Sequence, residues 1–371
     1  MVEPPASGLL QVPALPDRSP AAESRRRRTT SSYTDLAASV RASGLMDRRY
    51  GYYWSRIAAC MAGFALLFMA VARVGDSWWQ LVLAALLGML LTQFGFLGHD
   101  AAHRQIFASA AWNDWTARVL SGAFAGLSYG WWRGKHNRHH ATPNQEGRDP
   151  DIVSGLLAFT RDVAAGRTTP ARGWFLRHQG WLFFPLLTLE GLNLTLAGVR
   201  HLTSRRDVPH RWTELSLIVA RLSLYVAALL VLLTPVKALA FFLVQMAVFG
   251  LCLGASFAPN HKGMPIVPHS MKLDFLQRQV LMSRNVRGGV VVRAMMGGLN
   301  YQIEHHLFPS MPRPNLRHVQ PVVRQHCATH GVPYTEVGVW TSYGIVVDYL
   351  NHVGLRARGP FDCPLAGQLG R

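Results

Sequence analysis

Residues 78–103 read WWQLVLAALLGMLLTQFGFLGHDAAH, an apolar stretch of membrane-crossing length that runs straight into His99 and His103. On a helix, residues four apart share a face, so both imidazoles aim at one point just beyond the bilayer. The same device recurs outward from this stretch. His136, His139 and His140 form an HxxHH unit, and Gln302, His305 and His306 repeat its spacing with glutamine in the first place. His261 follows another apolar stretch. Eight of the 16 histidines therefore fall into three clusters and one satellite. Imidazole is the commonest metal ligand in proteins. Eight neutral nitrogens exceed the needs of one tetrahedral zinc and suit two octahedral-leaning ions such as iron. The pattern predicts a polyhistidine dimetal centre at a membrane face.

Composition points the same way. Of 371 residues, 49% are hydrophobic and 16% charged, and the apolar residues come in long runs. Spans are expected at about 57–74, 78–97, 215–233 and 236–254, each near the roughly 20 residues that cross a hydrocarbon core. Gly75-Asp76-Ser77 and Thr234-Pro235 are short breaks, so the spans form two helical hairpins. Each hairpin returns the chain to its starting side, which puts every histidine unit on one face. The expected fold is all-α: a polytopic membrane protein with four transmembrane helices in two hairpins and a cytoplasmic helical cap holding the His-rich dimetal site. The stretches 106–130 and 180–199 are apolar but interrupted by polar residues, and read as interfacial or re-entrant helices. Arg221, within the third span, is expected to face protein, with Glu214 or another acid as partner.

The net charge is +18. Basic residues at the amino terminus and near 201–211 flank spans, which places that face in the cytoplasm. They do not line one helix, which argues against nucleic acid. Cys60, Cys252, Cys327 and Cys363 are scattered and form no disulfide framework or cluster motif. Residues 1–45, with Arg25 to Arg28, read as a disordered basic tail in which no signal peptide is visible. Within it, Tyr33, Leu36 and Val40 have helical spacing along the membrane surface. Residues 46–340 form the membrane domain and 341–371 a C-terminal tail.

His99 and His103 alone also fit a pair of interfacial histidines. The second unit is more specific, because its three imidazoles stand among Arg133, Lys135 and Arg138, where protonation would be repulsive. A metal taking them as neutral ligands relieves that repulsion. Metal-bound imidazoles usually donate their second N–H to an acid or carbonyl, and Asp100, Glu146, Asp149, Asp151 and Glu304 are placed in sequence to accept.

The strings HDAAH, HNRHH and QIEHH, the last followed by Leu307-Phe308-Pro309, resemble the three histidine boxes of the integral-membrane fatty acid desaturases. The segments 144–152, 258–265 and 302–316 extend the likeness, which covers roughly residues 33–340. Glutamine in the third box resembles the branch of front-end and actinobacterial acyl-CoA desaturases. The resemblance implies a non-haem di-iron enzyme that removes two hydrogens from an acyl chain with dioxygen as co-substrate and two electrons. It implies His99, His103, His136, His139, His140, His305 and His306 as metal ligands, with His261 as the extra ligand between the second and third boxes. Gln302 departs from the all-histidine pattern; direct ligation, a bridging water or an orienting role all stay open. Asn260 has a similar role through water. The branch implies a bacterial cell membrane.

Breaking an unactivated C–H bond needs an oxidant that no side chain supplies. An acyl chain, carried on coenzyme A or a lipid, is expected to enter from the bilayer past Tyr129, Trp131, Trp132 and Phe308, with Arg133, Lys135 and Arg138 meeting its phosphate. The sequence has no His-Pro-Gly-Gly haem motif, no dinucleotide fingerprint and no cysteine cluster. Electrons are therefore expected from an external donor, a ferredoxin or a flavin/iron-sulfur reductase. The rival readings are a sister di-iron hydroxylase or monooxygenase, a non-catalytic membrane metal-binding protein, and a basic lipid-surface module.

Overall fold

The structure is a computed structural model and describes residues 32–153, 155–160, 163–164 and 169–354. Four helices among the described residues are long and apolar enough to cross a membrane: α2 (Tyr50–Val74), α3 (Gln80–Ala102), α9 (Arg211–Leu232) and α10 (Pro235–His261). They form the two expected hairpins. At the turns, Asp76 ties one hairpin to the other, accepting from Thr234 N at 2.9 Å and Lys237 Nζ at 2.8 Å. Gln80 Nε2 donates to Val71 O and Gly75 O, both at 2.8 Å. That satisfies carbonyls which the end of α2 leaves open where water is scarce.

The helices that carry histidine outlast their apolar runs. The runs end near 97 and 254, but α3 continues to Ala102 with His99 on its last turn, and α10 continues through Pro259 to His261. Burial between α3 and α10 explains this, because these turns pack on protein instead of lipid. Between the hairpins, α4 (Ala110–Val119) runs into a π-helical turn, Leu120–Ala125, closed by Gly126 at φ +74°. Helix α5 (Tyr129–Ala141) follows, capped by Ser128 Oγ accepting from Trp131 N. After α6 (Pro170–Arg177), helices α7 (Gln179–Leu187) and α8 (Glu190–Ser204) meet at a 71° bend. The apolar stretch over 180–199, expected as interfacial or re-entrant helices, is thus a bent pair. Gly191 and Gly250 let α8 and α10 meet backbone to backbone: a Cβ on Gly250 would lie 2.4 Å from Gly191 N.

Beyond the spans, α1 (Ser32–Ala42), α11 (Phe275–Leu281), α13 (Gln302–Leu307) and α14 (Leu316–Thr329) share one core. It is built on Leu36, Val40, Leu276, Val280, Ile303, Leu307, Val319 and Val323. Strands β1 (Asn285–Arg287) and β2 (Glu336–Gly338) pair in parallel, and α12 (Val290–Met295) lies between β1 and α13. Helix α15 (Val339–Gly354) packs on α7, where Gln179 Nε2 reaches Leu350 O at 2.7 Å.

Residues before 46 and after 340 also take part in the packing. Leu36 and Val40 bury in the cap, and Tyr33 Oη donates to Leu307 O at 2.8 Å, so α1 braces the helix of the third box. Val346, Tyr349, Leu350 and Val353 bury likewise. Residues 1–31 and 355–371, with Arg25 to Arg28 and Cys363, lie outside the described residues. Arg221 faces protein as expected, but its partner is not an acid. Glu214 pairs instead with Arg118 Nε at 3.1 Å, and accepts from Ser128 Oγ at 2.8 Å and Gly130 N. Arg221 Nε reaches Phe124 O at 3.2 Å, serving a carbonyl on the last turn of the π-helical segment.

Candidate metal centre

Each histidine arrives from an element whose local chemistry fixes its direction. His99 lies on the last turn of α3 and His103 caps that helix. His136, His139 and His140 lie on α5, His261 ends α10, and His305 and His306 lie on α13. Helix α13 has only six residues, every one buried. The chain reaches it through Gly297 (φ +59°), where a Cβ would sit 2.3 Å from the Phe96 ring, so only glycine fits the approach.

Two donor groups result. His99, His103, His136 and His305 form one, and His139, His261 and His306 the other; within each, the donor atoms lie within 4.8 Å of one another. His140 stands between them. Its Nε2 is 3.0 Å from His136 Nε2, and its ring stacks on His306 with centroids 4.2 Å apart. All eight histidines expected from the sequence are thus brought to one place. Gln302 joins the second group, its amide nitrogen 2.9 Å from His261 Nε2, and Asn260 Nδ2 donates to Gln302 Oε1 at 3.2 Å.

The ring nitrogens divide by role. In the three-histidine group each Nδ1 has an oxygen partner: Asp149 for His139 (3.0 and 3.1 Å), Met282 O for His261 (3.0 Å), and Gln279 Oε1 for His306 (2.9 Å). These partners fix the tautomer and turn Nε2 inward. His99 Nε2, His103 Nε2, His140 Nδ1, His305 Nε2 and His306 Nε2 are buried and find no hydrogen-bond partner among the described residues. Such orphaned acceptors are costly in a closed site unless a cation occupies it. Burial and neighbouring imidazoles hold His136, His140, His305 and His306 well below the ordinary histidine range, which keeps them neutral as ligands must be. Burial pulls His139 down too, but Asp151 and Asp149 outweigh it and raise its pKa. The residues present fit a pair of metal ions.

The expected acids divide as well. Asp149 is fully enclosed on His139, while Asp151 lies 3.4 Å from His139 Nδ1 and pairs with Lys135 at 2.8 Å. Asp100 is 3.5 Å from His99 Nδ1 and is held from behind by Arg313 at 2.7 Å. The Glu304 carboxylate is turned to other partners. It accepts from Tyr334 Oη at 2.6 Å and Asn285 Nδ2 at 2.7 Å, and burial pushes it up to about 7. The backbone carbonyl of Glu146 faces His269 Nδ1, outside the histidine units, at 3.2 Å. Of the aromatic residues expected along an acyl path, Trp132 stacks on His136 at 4.2 Å and reaches His99. Tyr129 and Phe308 are core residues instead. Of the cations around the second unit, Arg133 pairs with Asp114 and Lys135 with Asp151, so these two neutralise local acids. Gln279, Met282 and Arg313 were missed from the sequence, because their partners lie far along the chain and no motif marks them.

Comparison with known proteins agrees with this centre. The model of the family "Fatty acid desaturase" matches residues 76–338, most of the chain. The Delta(5) fatty acid desaturase fat-4 of Caenorhabditis elegans is 32% identical over 344 residues, covering 89% of this chain and 75% of that protein. The Delta(8)-fatty-acid desaturase of Helianthus annuus is 28% identical over 355 residues, covering 88% and 74%. The acyl-lipid (9-3)-desaturase of Physcomitrium patens is 30% identical over 309 residues, covering 81% and 58%. With four apolar spans and clustered histidines at their ends, this chain is a multi-pass membrane enzyme and belongs to the fatty acid desaturase family.

Proposed function

We propose that the protein introduces a cis double bond into an acyl chain carried on a membrane lipid or coenzyme A. Two iron ions would be held by His99, His103, His136 and His305, and by His139, His261 and His306, with His140 between them. When bound, the iron supplies the oxidising power that dioxygen chemistry on a C–H bond needs. The balance is –CH2–CH2– + O2 + 2 e⁻ + 2 H⁺ → –CH=CH– + 2 H2O, with both electrons from an external donor, a ferredoxin or a flavin/iron-sulfur reductase. The observation that carries the reading is the pair of buried donor groups with inward, partnerless nitrogens at the ends of α3 and α10. The family match sets the reaction class, and the names of the relatives favour insertion on the carboxyl side of the chain.

The chain's residues supply the surroundings. Trp132 and Phe257 flank His99 and form an apolar wall against which a methylene can lie out of water. Asp149, Gln279 and Met282 O hold three imidazoles in register. Gln302 is placed to ligate directly or through water, since turning its amide aims the oxygen at the point His261 faces. The basic amino-terminal region favours a cytoplasmic face for the centre.

Expression in a host of known lipid composition, with mass spectrometry of its fatty acids, tests the reading. A new double bond is expected, absent when His139 or His305 is replaced by alanine and kept when the exposed His318 is replaced. A hydroxylated product, or an unchanged profile under iron-replete conditions with donor supplied, overturns it.

A further inference from the structure

The three-histidine group is braced by a residue outside every histidine motif. Arg284, in the segment between α11 and β1, is among the largest side chains that the fold encloses completely. Its guanidinium lies against the end of α10. Nε donates to Pro259 O at 2.9 Å, and Nη2 donates to Pro259 O and, at 2.9 Å, to Lys262 O. Nη1 rests on Met264 Sδ at 3.7 Å, and the backbone N–H of Arg284 reaches Asn260 O at 2.8 Å. These carbonyls belong to the turn that carries His261, where the helix stops and no further N–H arrives to take them. A fixed cation also suits the negative end of the helix dipole. Two residues earlier, Met282 O accepts from His261 Nδ1. One residue later, Asn285 accepts from Ile303 N at 2.9 Å at the start of α13. Residues 282, 284 and 285 thus grip the element that delivers His261 and the element that delivers Gln302, His305 and His306.

We propose that Arg284 is a positioning residue that sets His261 in the three-histidine group, so that losing its side chain weakens the hold on one metal ion and spares the other. The selectivity follows from the contacts. His99, His103, His136 and His305 come from α3, α5 and α13, whereas the guanidinium hydrogen bonds seen among the described residues include those to residues 259, 262 and 264, on the turn of His261. The proposal rests on the two-ion reading of the site.

The test uses full-length protein in lipid nanodiscs, stripped of metal anaerobically and titrated with Fe(II), and with Co(II) read by its absorption spectrum. Wild type is expected to take two equivalents. Arg284→Met should keep one at wild-type affinity and bind the other about 10- to 100-fold more weakly, the range for removing a group behind a ligand. Arg284→Lys keeps a charge that reaches one carbonyl but lacks the fork that spans two, so it should fall between them. His261→Ala should weaken the same equivalent, and adding Arg284→Met to it should change little, as for two residues acting through one site. Two full-affinity equivalents in Arg284→Met, or equal weakening of both, overturns the proposal. Should Arg284→Met not fold, the lysine variant decides, and loss of folding there as well assigns Arg284 to general stability and overturns the proposal too. A single equivalent in wild type overturns the two-ion reading itself, which separates that failure from this one.

Discussion

Replacing Asp149 by asparagine changes one atom at the back of the centre and should be felt in both metal binding and stability. Asp149 is fully buried and accepts from three donors. These are His139 Nδ1 at 3.0 and 3.1 Å, Asn144 N at 2.7 Å and Asp151 N at 2.9 Å. An amide keeps the shape but puts an NH2 where one oxygen stood, so it faces the N–H of Asn144 or of Asp151. One buried donor then goes unmet, which costs about 1–3 kcal/mol. Loss of the negative charge also makes His139 a poorer ligand, for which about a 10- to 100-fold loss of metal affinity is typical. The expected result is a lower melting temperature in nanodiscs, a weakened metal equivalent by titration and reduced double-bond formation in the host lipids. Asp149→Glu, which forces an extra methylene into the same enclosure, should also destabilise, by about 1–3 kcal/mol. If Asp149→Asn matches wild type in melting, metal content and product, the reasoning that Asp149 orients His139 is refuted.

Gln302→His would turn QxxHH into HxxHH and should retain iron and partial activity, whereas Gln302→Ala should lose much of both; metal analysis with product analysis decides, and a wild-type alanine variant removes Gln302 from the centre. Glu214→Ala leaves Arg118 buried without its acid and Gly130 N without an acceptor, and should cost about 3–5 kcal/mol, read as a large fall in melting temperature. Gly250→Ala would push a methyl to 2.4 Å from Gly191 N and 2.5 Å from Leu187 O. It should separate α8 from α10 and lower stability by about 1–3 kcal/mol, while Gly134→Ala, where a Cβ meets nothing within 4 Å, should be tolerated.

The parts of the fold that were legible are those with local periodicity. Apolar length gave α2, α3, α9 and α10, and spacings of three and four gave the faces of the ligand helices. The helix at Ser32–Ala42 showed its Leu36 and Val40 spacing, but that pattern does not say whether the apolar face meets lipid or protein, and it meets protein. Nearness along one helix suggests Glu214, or another acid, as the partner of Arg221, yet the fold brings Arg118 to Glu214 from another element. Glu304 stands beside His305 in sequence and is among the five acids placed there to accept from an imidazole. On a helix, neighbours point in different directions, and Glu304 turns to Asn285 and Tyr334 instead. The oxygens that do orient the imidazoles include Met282 O, a backbone atom to which side-chain identity gives no clue.

The spacing of the two donor groups along the chain has a consequence for biogenesis. The four-histidine group needs His305 as well as His99, and the three-histidine group needs His306 as well as His139. Neither can close until the ribosome has released the segment after the second hairpin, by which time both hairpins have entered the bilayer. On the proposed two-ion reading, metal capture would therefore report completed assembly. An emerging chain stalled before α13 presents His99 to His140 as loose, exchangeable ligands, whereas the finished chain gains a long-range clasp across its two hairpins. Iron supply during synthesis should then govern how many chains mature, and iron-starved cells should accumulate inserted but protease-sensitive protein.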